Sequence, residues 1–190
     1  MDIFTEVKNN KRYNPTNSVL WFRKHVTEVM RNVGTLTFVG MYQSWQTTQV
    51  KPGTMIMFGY DPKTKDKLPY YDNFPCGICF DASNDHFMCL NIHYLPFEVR
   101  LQLMDKLIHF STQPLDDNTR LKLTWQYLKN IAMTNAVNFS VKKYLFGHVK
   151  TRFVNIPLSD WPIAAFLPLA RFRKATQDKV FRDYRKIGRR

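Results

Sequence analysis

Residues 74–95, FPCGICFDASNDHFMCLNIHYL, decide the predicted fold. Two largely apolar runs, Phe74–Ala82 and Phe87–Leu95, flank the turn-forming sequence Ser-Asn-Asp at 83–85. In the second run, apolar side chains occupy every other position from 88 to 94, as in a strand with one buried face. Two such runs joined by a short polar turn are typical of an antiparallel β-hairpin. The sequence therefore predicts a hairpin in the middle of the chain.

Shorter runs of the same kind lie on either side of the hairpin. The sequence predicts strands at Thr35–Val39, Thr54–Tyr60 and Lys150–Ile156. A polar loop, residues 61–72, separates the second of these strands from the hairpin. This loop is too long to be a simple turn.

Helical spacing of apolar residues dominates the rest of the chain. The predicted helices cover residues 17–33, 97–108, 116–130, 140–148 and 175–186, with a further helix start at 159–162. Strands clustered between helices indicate an α+β fold rather than an α/β fold. We expect a small antiparallel SH3-like β-barrel flanked by several helices, with a basic C-terminal helix. A flat three-stranded sheet under helices is the competing topology.

The length and composition indicate one globular domain with extensions. The chain has 190 residues, of which 44% are hydrophobic, so it can bury a core and global disorder is excluded. No internal repeat is present, which excludes solenoids and propellers. We expect an N-terminal arm at 1–17, a single α+β domain at 18–170, and a basic C-terminal helix or tail at 171–190.

The sequence predicts neither export nor membrane insertion. The N-terminal residues 1–6 carry acids where a signal peptide needs basic residues. The most apolar stretch, Phe153–Ala170, is interrupted by Asp160 and three prolines, so we do not expect a membrane helix there. Three cysteines are too few for a disulfide scaffold, and a reducing compartment is the simpler interpretation.

Positive charge is concentrated at the C-terminal end of the chain. The formal net charge is +13, from 28 basic and 15 acidic residues. Residues 1–139 carry 15 basic and 12 acidic side chains, whereas residues 140–190 carry 13 basic and 3 acidic ones. Such an excess indicates an acidic partner, which can be nucleic acid, an anionic membrane or an acidic protein surface.

The basic residues of 171–190 form the candidate nucleic-acid-binding set. They are Arg171, Arg173, Lys174, Lys179, Arg182, Arg185, Lys186, Arg189 and Arg190. On a helix, the four at 182, 185, 186 and 189 share one face, while Val180, Tyr184 and Ile187 share a different face that can dock on the protein. The pattern predicts either an arm that binds phosphates or a solvated tail, and the sequence leaves both open.

Aromatic residues interleave with lysines in the 61–72 loop region. Tyr60, Tyr70, Tyr71 and Phe74 bracket the lysines at 63, 65 and 67. Such a segment can stack bases while lysines hold phosphates. The alternative is that the rings fold back and plug one end of the barrel, and Pro69 and Pro75 favour this packed connection.

The sequence contains no recognisable catalytic signature. Phosphate-cradling glycine motifs, zinc-protease motifs and nucleophile elbows are absent. Asp61, Asp66 and Asp72 lie near lysines, as in a metal-dependent nuclease, but their proline-rich surroundings favour ordinary turn roles. We therefore expect no catalytic residues and no cofactor.

Three cysteines and one histidine raise the question of a zinc site. Cys76, Cys79, Cys89 and His93 follow the spacing C-x2-C-x9-C-x3-H, which is a legitimate ligand set. However, Cys76 and Cys79 lie in an extended run, where a separation of three points their side chains to opposite faces. Buried thiols that pack as small hydrophobic groups explain the same residues, so we expect no metal site.

Several stretches resemble small proteins encoded by large contractile-tailed bacteriophages. The most specific stretch is YDPKTKDKLPYYDNFP at 60–75, and others are LNIHYLP at 90–96, RLKLTW at 120–125 and KVFRD at 179–183. The resemblance covers residues 18–187 and implies a late virion or assembly protein, of the kind labelled DNA end protectors, without catalytic residues. In these proteins apolar residues stand around 76–89, which argues further against zinc.

The resemblance and the charge distribution together lead to a functional expectation. We expect a non-enzymatic virion or assembly protein that binds DNA or DNA ends through residues 171–190. Its expected partners are DNA or other phage virion proteins, without a membrane or small-molecule substrate, in the host cytoplasm during assembly and then in the virion. The alternative is a structural component of the tail, baseplate or neck that docks an acidic neighbouring subunit.

Overall fold

The structure is a computed structural model that describes residues 46–96, 99–100, 102–104, 106–107, 126–128, 130–131, 135–156, 161 and 170–187. The predicted N-terminal arm, the predicted helix at 17–33 and the predicted strand at 35–39 lie outside these residues. So does most of the stretch 157–169.

A six-stranded antiparallel sheet forms the centre of the fold. Its strands are β1 (Gln46–Thr47), β2 (Met55–Met57), β4 (Cys76–Ala82), β5 (His86–Asn91), β6 (Val141–Leu145) and β7 (Phe153–Ile156), in the order β1-β7-β2-β4-β5-β6. A second, two-stranded sheet pairs β3 (Tyr71–Asp72) with β8 (Phe172–Arg173). The second sheet joins the 61–72 loop to the segment that precedes the C-terminal helix.

The predicted hairpin is confirmed as β4 and β5. Ser83 N–H donates to the carbonyl of His86 at 2.8 Å and closes the turn. The register pairs Cys79 with Cys89 and then shifts at a bulge before Asp81. The predicted strand to Leu95 is wrong in its last part, because β5 ends at Asn91 and a 3-10 turn, Ile92–Tyr94, follows. The side chain of Asn91 caps this turn by accepting from the backbone N–H of His93 at 3.0 Å.

Alternation along the strands divides the buried side chains into two clusters. The helix-side core takes Met55, Met57, Cys76, Ile78, Leu90, Val154 and Ile156 from the sheet, with Leu103, Met104, Leu107, Leu128 and Trp161 packed against them. The aromatic core on the other side contains Ile56, Phe58, Tyr60, Cys79, Phe87, Cys89, Tyr144 and Phe153. The Phe58 ring lies 5.3 Å from Phe87, 5.0 Å from Tyr144 and 5.3 Å from Phe153, between ring centroids.

The predicted helix at 140–148 is wrong, because this segment forms strand β6. Its residues pair along the whole of β5, from Val141 opposite Leu90 to Leu145 opposite His86. This register puts Val141 against the helix-side core and Tyr144 in the aromatic core. Burial on both faces of a sheet outweighed the weak helical spacing. Only residues 146–148 are helical, as a 3-10 turn that leads into β7.

Helices flank the sheet as predicted, within the described residues. Helical residues lie between 99 and 107 and between 126 and 131, followed by the short helix α1 (Asn135–Asn138) and the C-terminal helix α2 (Gln177–Ile187). Trp161 is helical, and its indole N–H donates to the carbonyl of Ile156 at 3.0 Å. These segments agree with the predicted helices at 97–108 and 175–186 and with the end of the predicted helix at 116–130, whose residues 116–125 lie outside the described ranges.

The predicted α+β class and antiparallel sheet are confirmed, and a closed barrel is not present in the described residues. The strand order ends at β1 on one side and at β6 on the other, and these two edge strands do not pair. The sheet is nevertheless larger than the three-stranded alternative.

The aromatic core provides the first prediction. Phe58 is fully buried and contacts four rings, so Phe58→Ala should lower the free energy of unfolding by about 3–5 kcal/mol. Urea denaturation is the measurement. The matched control is Asn155→Ala, because Asn155 is exposed on β7, and this change should stay within about 0.5 kcal/mol of the wild type. Equal losses in the two variants contradict the assignment of Phe58 to the core.

Candidate nucleic-acid interface

The predicted basic region begins inside the folded structure rather than as a separate tail. Strand β8 pairs Arg173 with Tyr71 and Phe172 with Asp72. The backbone N–H of Arg171 donates to a carboxylate oxygen of Asp72 at 3.1 Å. The side-chain amide of Asn73, oriented to satisfy both partners, donates to the Arg171 carbonyl at 2.6 Å and accepts from Arg173 Nε at 3.2 Å. This segment is therefore fixed against the 61–72 loop.

The charged side chain of Lys174 binds to another part of the protein. Its backbone has a φ of 67°, in the left-handed region, which turns the chain toward α2. Its ammonium group donates to the carbonyls of Lys65 at 2.7 Å, Asp66 at 3.1 Å and Leu68 at 3.4 Å. Lys174 thus fastens the 61–72 loop to the C-terminal segment.

Helix α2 packs against the helix-side core through part of the face that was predicted to dock on the protein. Val180 is fully buried, and Tyr184 packs against the same core. The Tyr184 ring also meets Phe139, with 6.0 Å between ring centroids. Ile187, which was predicted to dock, is instead 41% exposed at the end of the helix.

The opposite face of α2 carries exposed cations. Arg182, Arg185 and Lys186 are exposed there, whereas Arg189 and Arg190 lie outside the described residues. Asp183 forms ion pairs with Lys179, at 3.2 Å, and with Lys186, at 3.7 Å. The hydrogen bond from Lys179 is the main reason why the pKa of Asp183 is lowered. Within the described residues, Arg182 and Arg185 form no ion pair.

A groove lies between the 61–72 loop and strand β6, next to α2. Its volume is about 450 Å³. Six aromatic residues line it, namely Tyr60, Tyr70, Tyr71, Tyr94, Phe139 and Tyr144, together with Lys63, Lys142 and Lys143. We call this feature the aromatic groove. Three of the four aromatic residues predicted around the loop, all except Phe74, line it, while Phe74 is buried in the helix-side core.

Lys142 lies inside the aromatic groove among ring faces. Its ammonium nitrogen is 4.3 Å from the Tyr94 ring centroid and 5.0 Å from that of Phe139. It also donates to the carbonyl of Phe139 at 2.7 Å. Burial lowers the pKa of Lys142 to about 8. Sequence analysis missed this residue because Lys142 was assigned to a helix.

A buried polar network lies beneath the aromatic groove. Asp72 accepts from His93 Nδ1 at 2.5 Å and from the side-chain amide of Asn91 at 3.3 Å. The same amide donates to the hydroxyl of Tyr144 at 2.9 Å. Burial opposes ionisation of Asp72, but the pair with His93 and the hydrogen bond from Phe74 N–H outweigh it, so the pKa of this carboxyl is lowered. The only signal in the sequence was the presence of Asn91 and His93 in an otherwise apolar run.

The carboxylates considered for a nuclease do not share one environment. Asp72 is buried in the network just described, whereas Asp61 pairs with Lys65 at 3.2 Å and Asp66 is exposed. The three therefore have different surroundings and different partners.

The residues considered for zinc are also separated. Cys76 belongs to the helix-side core, while Cys79 and Cys89 are cross-strand neighbours in the aromatic core. The expected separation of Cys76 and Cys79 is confirmed, and the cross-strand neighbour of Cys89 is Cys79. Across the described ranges, no group of three or more His, Cys, Asp or Glu side chains is placed to hold a metal ion. No helix in the same ranges is long and apolar enough to cross a membrane.

The buried network provides a pH-dependent prediction. Because the pKa of Asp72 is lower in the folded protein, its ionised form stabilises the fold at neutral pH, and this contribution is lost as the pH falls from the ordinary value of 3.8 through the lowered one. Asp72→Asn should therefore cost about 3 kcal/mol at pH near 7, since the amide carries no charge and places an NH2 donor against two of the four donors that the carboxylate accepts from. The difference from the wild type should shrink in acid.

Urea denaturation at several pH values measures this effect. The matched control is Asp66→Asn, which makes the same chemical change at an exposed site and should unfold like the wild type at every pH. A constant difference between Asp72→Asn and the wild type across the acid range contradicts the role assigned to the carboxylate.

Comparison with known protein families identifies the chain. Residues 2–185 match the family described as the phage T4 terminal DNA protecting protein. No curated protein and no solved structure matches the chain significantly. The match extends over nearly the whole sequence and confirms the resemblance to small proteins of contractile-tailed phages. The chain therefore belongs to the phage T4 terminal DNA protecting protein family.

Proposed function

We propose that this protein is a non-enzymatic phage virion or assembly protein that binds DNA ends through its basic C-terminal region. The family description, which names terminal DNA, supports the kind of ligand. A single observation supports the location of the DNA-binding site on α2. Arg182 and Arg185 are exposed on the outer face of this helix, while Val180 anchors the opposite face. The protein acts in the host cytoplasm during assembly and then in the virion.

The chemistry of this face suits a phosphate backbone. Guanidinium groups on a fixed helix bind phosphate oxygens without reading base identity, because phosphates carry no sequence information. Of the nine predicted residues, Lys174 is occupied by loop carbonyls and Lys179 and Lys186 by Asp183. Arg182 and Arg185 on α2, with Arg189 and Arg190 from the predicted set, then supply most of the phosphate contacts.

We also propose that the fold of this protein is related to SH3-like barrels. The sheet is so curved that rings from distant strands meet across its concave side. Tyr60, just after β2, lies 4.9 Å from Tyr144 on β6, and Phe87 on β5 lies 5.5 Å from Phe153 on β7, between ring centroids. An isolated antiparallel bridge between Tyr60 and Val149 extends the pairing of β2 toward β7. These contacts support a half-open barrel.

The second candidate is a structural part of the tail, baseplate or neck that docks an acidic subunit. The exposed Ile187 at the end of α2 favours it, because an apolar side chain beside cations suits a protein surface better than a phosphate backbone. The location of the protein in purified virions separates the two candidates. Presence at the DNA portal supports DNA binding, and presence in DNA-free tails supports the structural role.

The DNA-binding proposal predicts a defined salt dependence. We expect about four to six phosphate contacts, and hence a slope of roughly −4 to −5 when the logarithm of duplex affinity is plotted against that of salt concentration. Replacing Arg182 and Arg185 by Gln should make the slope less steep by about two units, since each contact contributes about 0.9. The fold should survive, because both side chains are exposed.

The matched control is the pair Lys51→Gln and Lys106→Gln, which removes two exposed charges far from α2 in sequence. This control should keep the wild-type slope, and circular dichroism checks the fold of both variants. Equal slopes in the arginine variant and the wild type, or no binding by the wild type at low salt, remove α2 as a DNA-binding element. The acidic-subunit candidate then takes its place.

A further inference from the structure

The aromatic groove has walls suited to a flat ring. Tyr70, Tyr71 and Phe139 are only partly buried, so parts of their rings face the open volume. Pro62 and Pro69 complete the wall that the 61–72 loop provides. Stacking on aromatic side chains is how proteins hold unpaired bases, since every base has a π-face.

The charge around the groove favours an anionic ligand. Lys63 and Lys143 are exposed at its edge, and Lys142 lies inside. Among the described lining residues, the one carboxylate is that of Asp72, which is buried and already hydrogen-bonded to His93 and Asn91. A flat, negatively charged ligand fits this combination, and a nucleotide has both properties.

The dimensions limit the ligand to a single unpaired nucleotide. A volume of about 450 Å³ is of the size of a small-molecule pocket and much too small for a duplex. A base must leave its stack before it can enter such a pocket, and this costs least where the base is already unpaired. In duplex DNA such bases occur at frayed or overhanging ends.

The groove is directly connected to the basic helix. Burial, together with the nearby carboxylate of Asp183 on α2, raises the pKa of Tyr70 to about 12. Phe139, on the far side of the groove, contacts Tyr184 of α2. A strand whose phosphates lie on α2 therefore passes close to the groove.

We propose that the aromatic groove binds the terminal, unpaired nucleotide of a DNA end, with the base against Tyr71 and Phe139 and the phosphate near Lys63 and Lys143. This inference rests on the proposed DNA-binding function and adds the element that distinguishes an end from the interior of a duplex. Helix α2 supplies contacts that any duplex can make, and the groove supplies contacts that only an end can make.

The test compares linear DNA with the same DNA as a relaxed, covalently closed circle. The variant is Tyr71→Leu with Phe139→Leu, which keeps apolar volume but removes two ring faces. Its affinity for linear DNA should fall about tenfold, while its affinity for the circle and its salt slope stay at wild-type values. The conservative control, Tyr71→Phe with Phe139→Tyr, should retain the preference for linear DNA.

A fluorescent base provides a second, direct measurement. In a short duplex, 2-aminopurine at the terminal position should be quenched when the wild-type protein binds, because the base stacks on aromatic rings. The same analogue at an interior position should not respond. Lys63→Glu is a second variant at an exposed site, so it tests the groove even if the double Leu variant does not fold. It should weaken binding to linear DNA and leave the circle unaffected.

The outcomes separate this inference from the proposed function. If the wild type binds both DNAs equally and neither groove variant changes the binding of linear DNA or the quenching, the groove is not an end site, while DNA binding by α2 stands. If a folded groove variant loses both DNAs alike, the groove is a general duplex contact, and the inference is wrong. If the wild type binds neither DNA, both proposals fail together.

Discussion

The carboxylate of Asp72 is the interaction on which the described structure depends. One of its oxygens accepts the backbone N–H groups of Phe74 and Arg171, at 3.0 and 3.1 Å, and the other accepts from His93 and Asn91, at 2.5 and 3.3 Å. These four donors belong to parts of the chain as far apart as the start of β4 and the segment before α2. A buried charge is stable only when its surroundings satisfy it, so the three segments around residues 72–74, 91–93 and 171 are held in one arrangement.

The same arrangement determines which basic side chains bind within the protein and which remain exposed. Because β8 is paired beside Asp72, Lys174 reaches the loop carbonyls, and Tyr70 at the end of that loop reaches Asp183 on α2. Some cations of the C-terminal region therefore hold the protein together, while Arg182 and Arg185 remain exposed. The net charge of the C-terminal region therefore does not give the number of phosphate contacts that the region can make. The geometry of a few arginines matters more than the total.

Sequence reasoning succeeded where the decisive interactions are local. The β4–β5 hairpin follows from the turn at 83–85 and strict alternation, and α2 follows from the spacing of Val180 and Tyr184. It failed at β6, where pairing with β5 decides the conformation of Val141–Leu145. It also missed the Asp72 network and the aromatic groove, because each is built from residues separated by tens of positions in the sequence. Individual aromatic and basic residues were recognised in the sequence. Their proximity across the 61–72 loop and β6 is a property of the tertiary structure.

The hydroxyl groups around the aromatic groove bear on how selective it can be. Tyr60 accepts from the N–H of Leu145 at 3.1 Å, Tyr144 accepts from Asn91 at 2.9 Å, and the hydroxyl of Tyr70 lies near the carboxylate of Asp183. These polar atoms are already engaged within the protein, so they offer little to the hydrogen-bonding edge of a base. Apart from the hydroxyls of Tyr71 and Thr64, what remains is ring surface and the charge of lysines, which bind any base and any phosphate alike. A site of this chemistry recognises that a strand ends, independently of the sequence with which it ends.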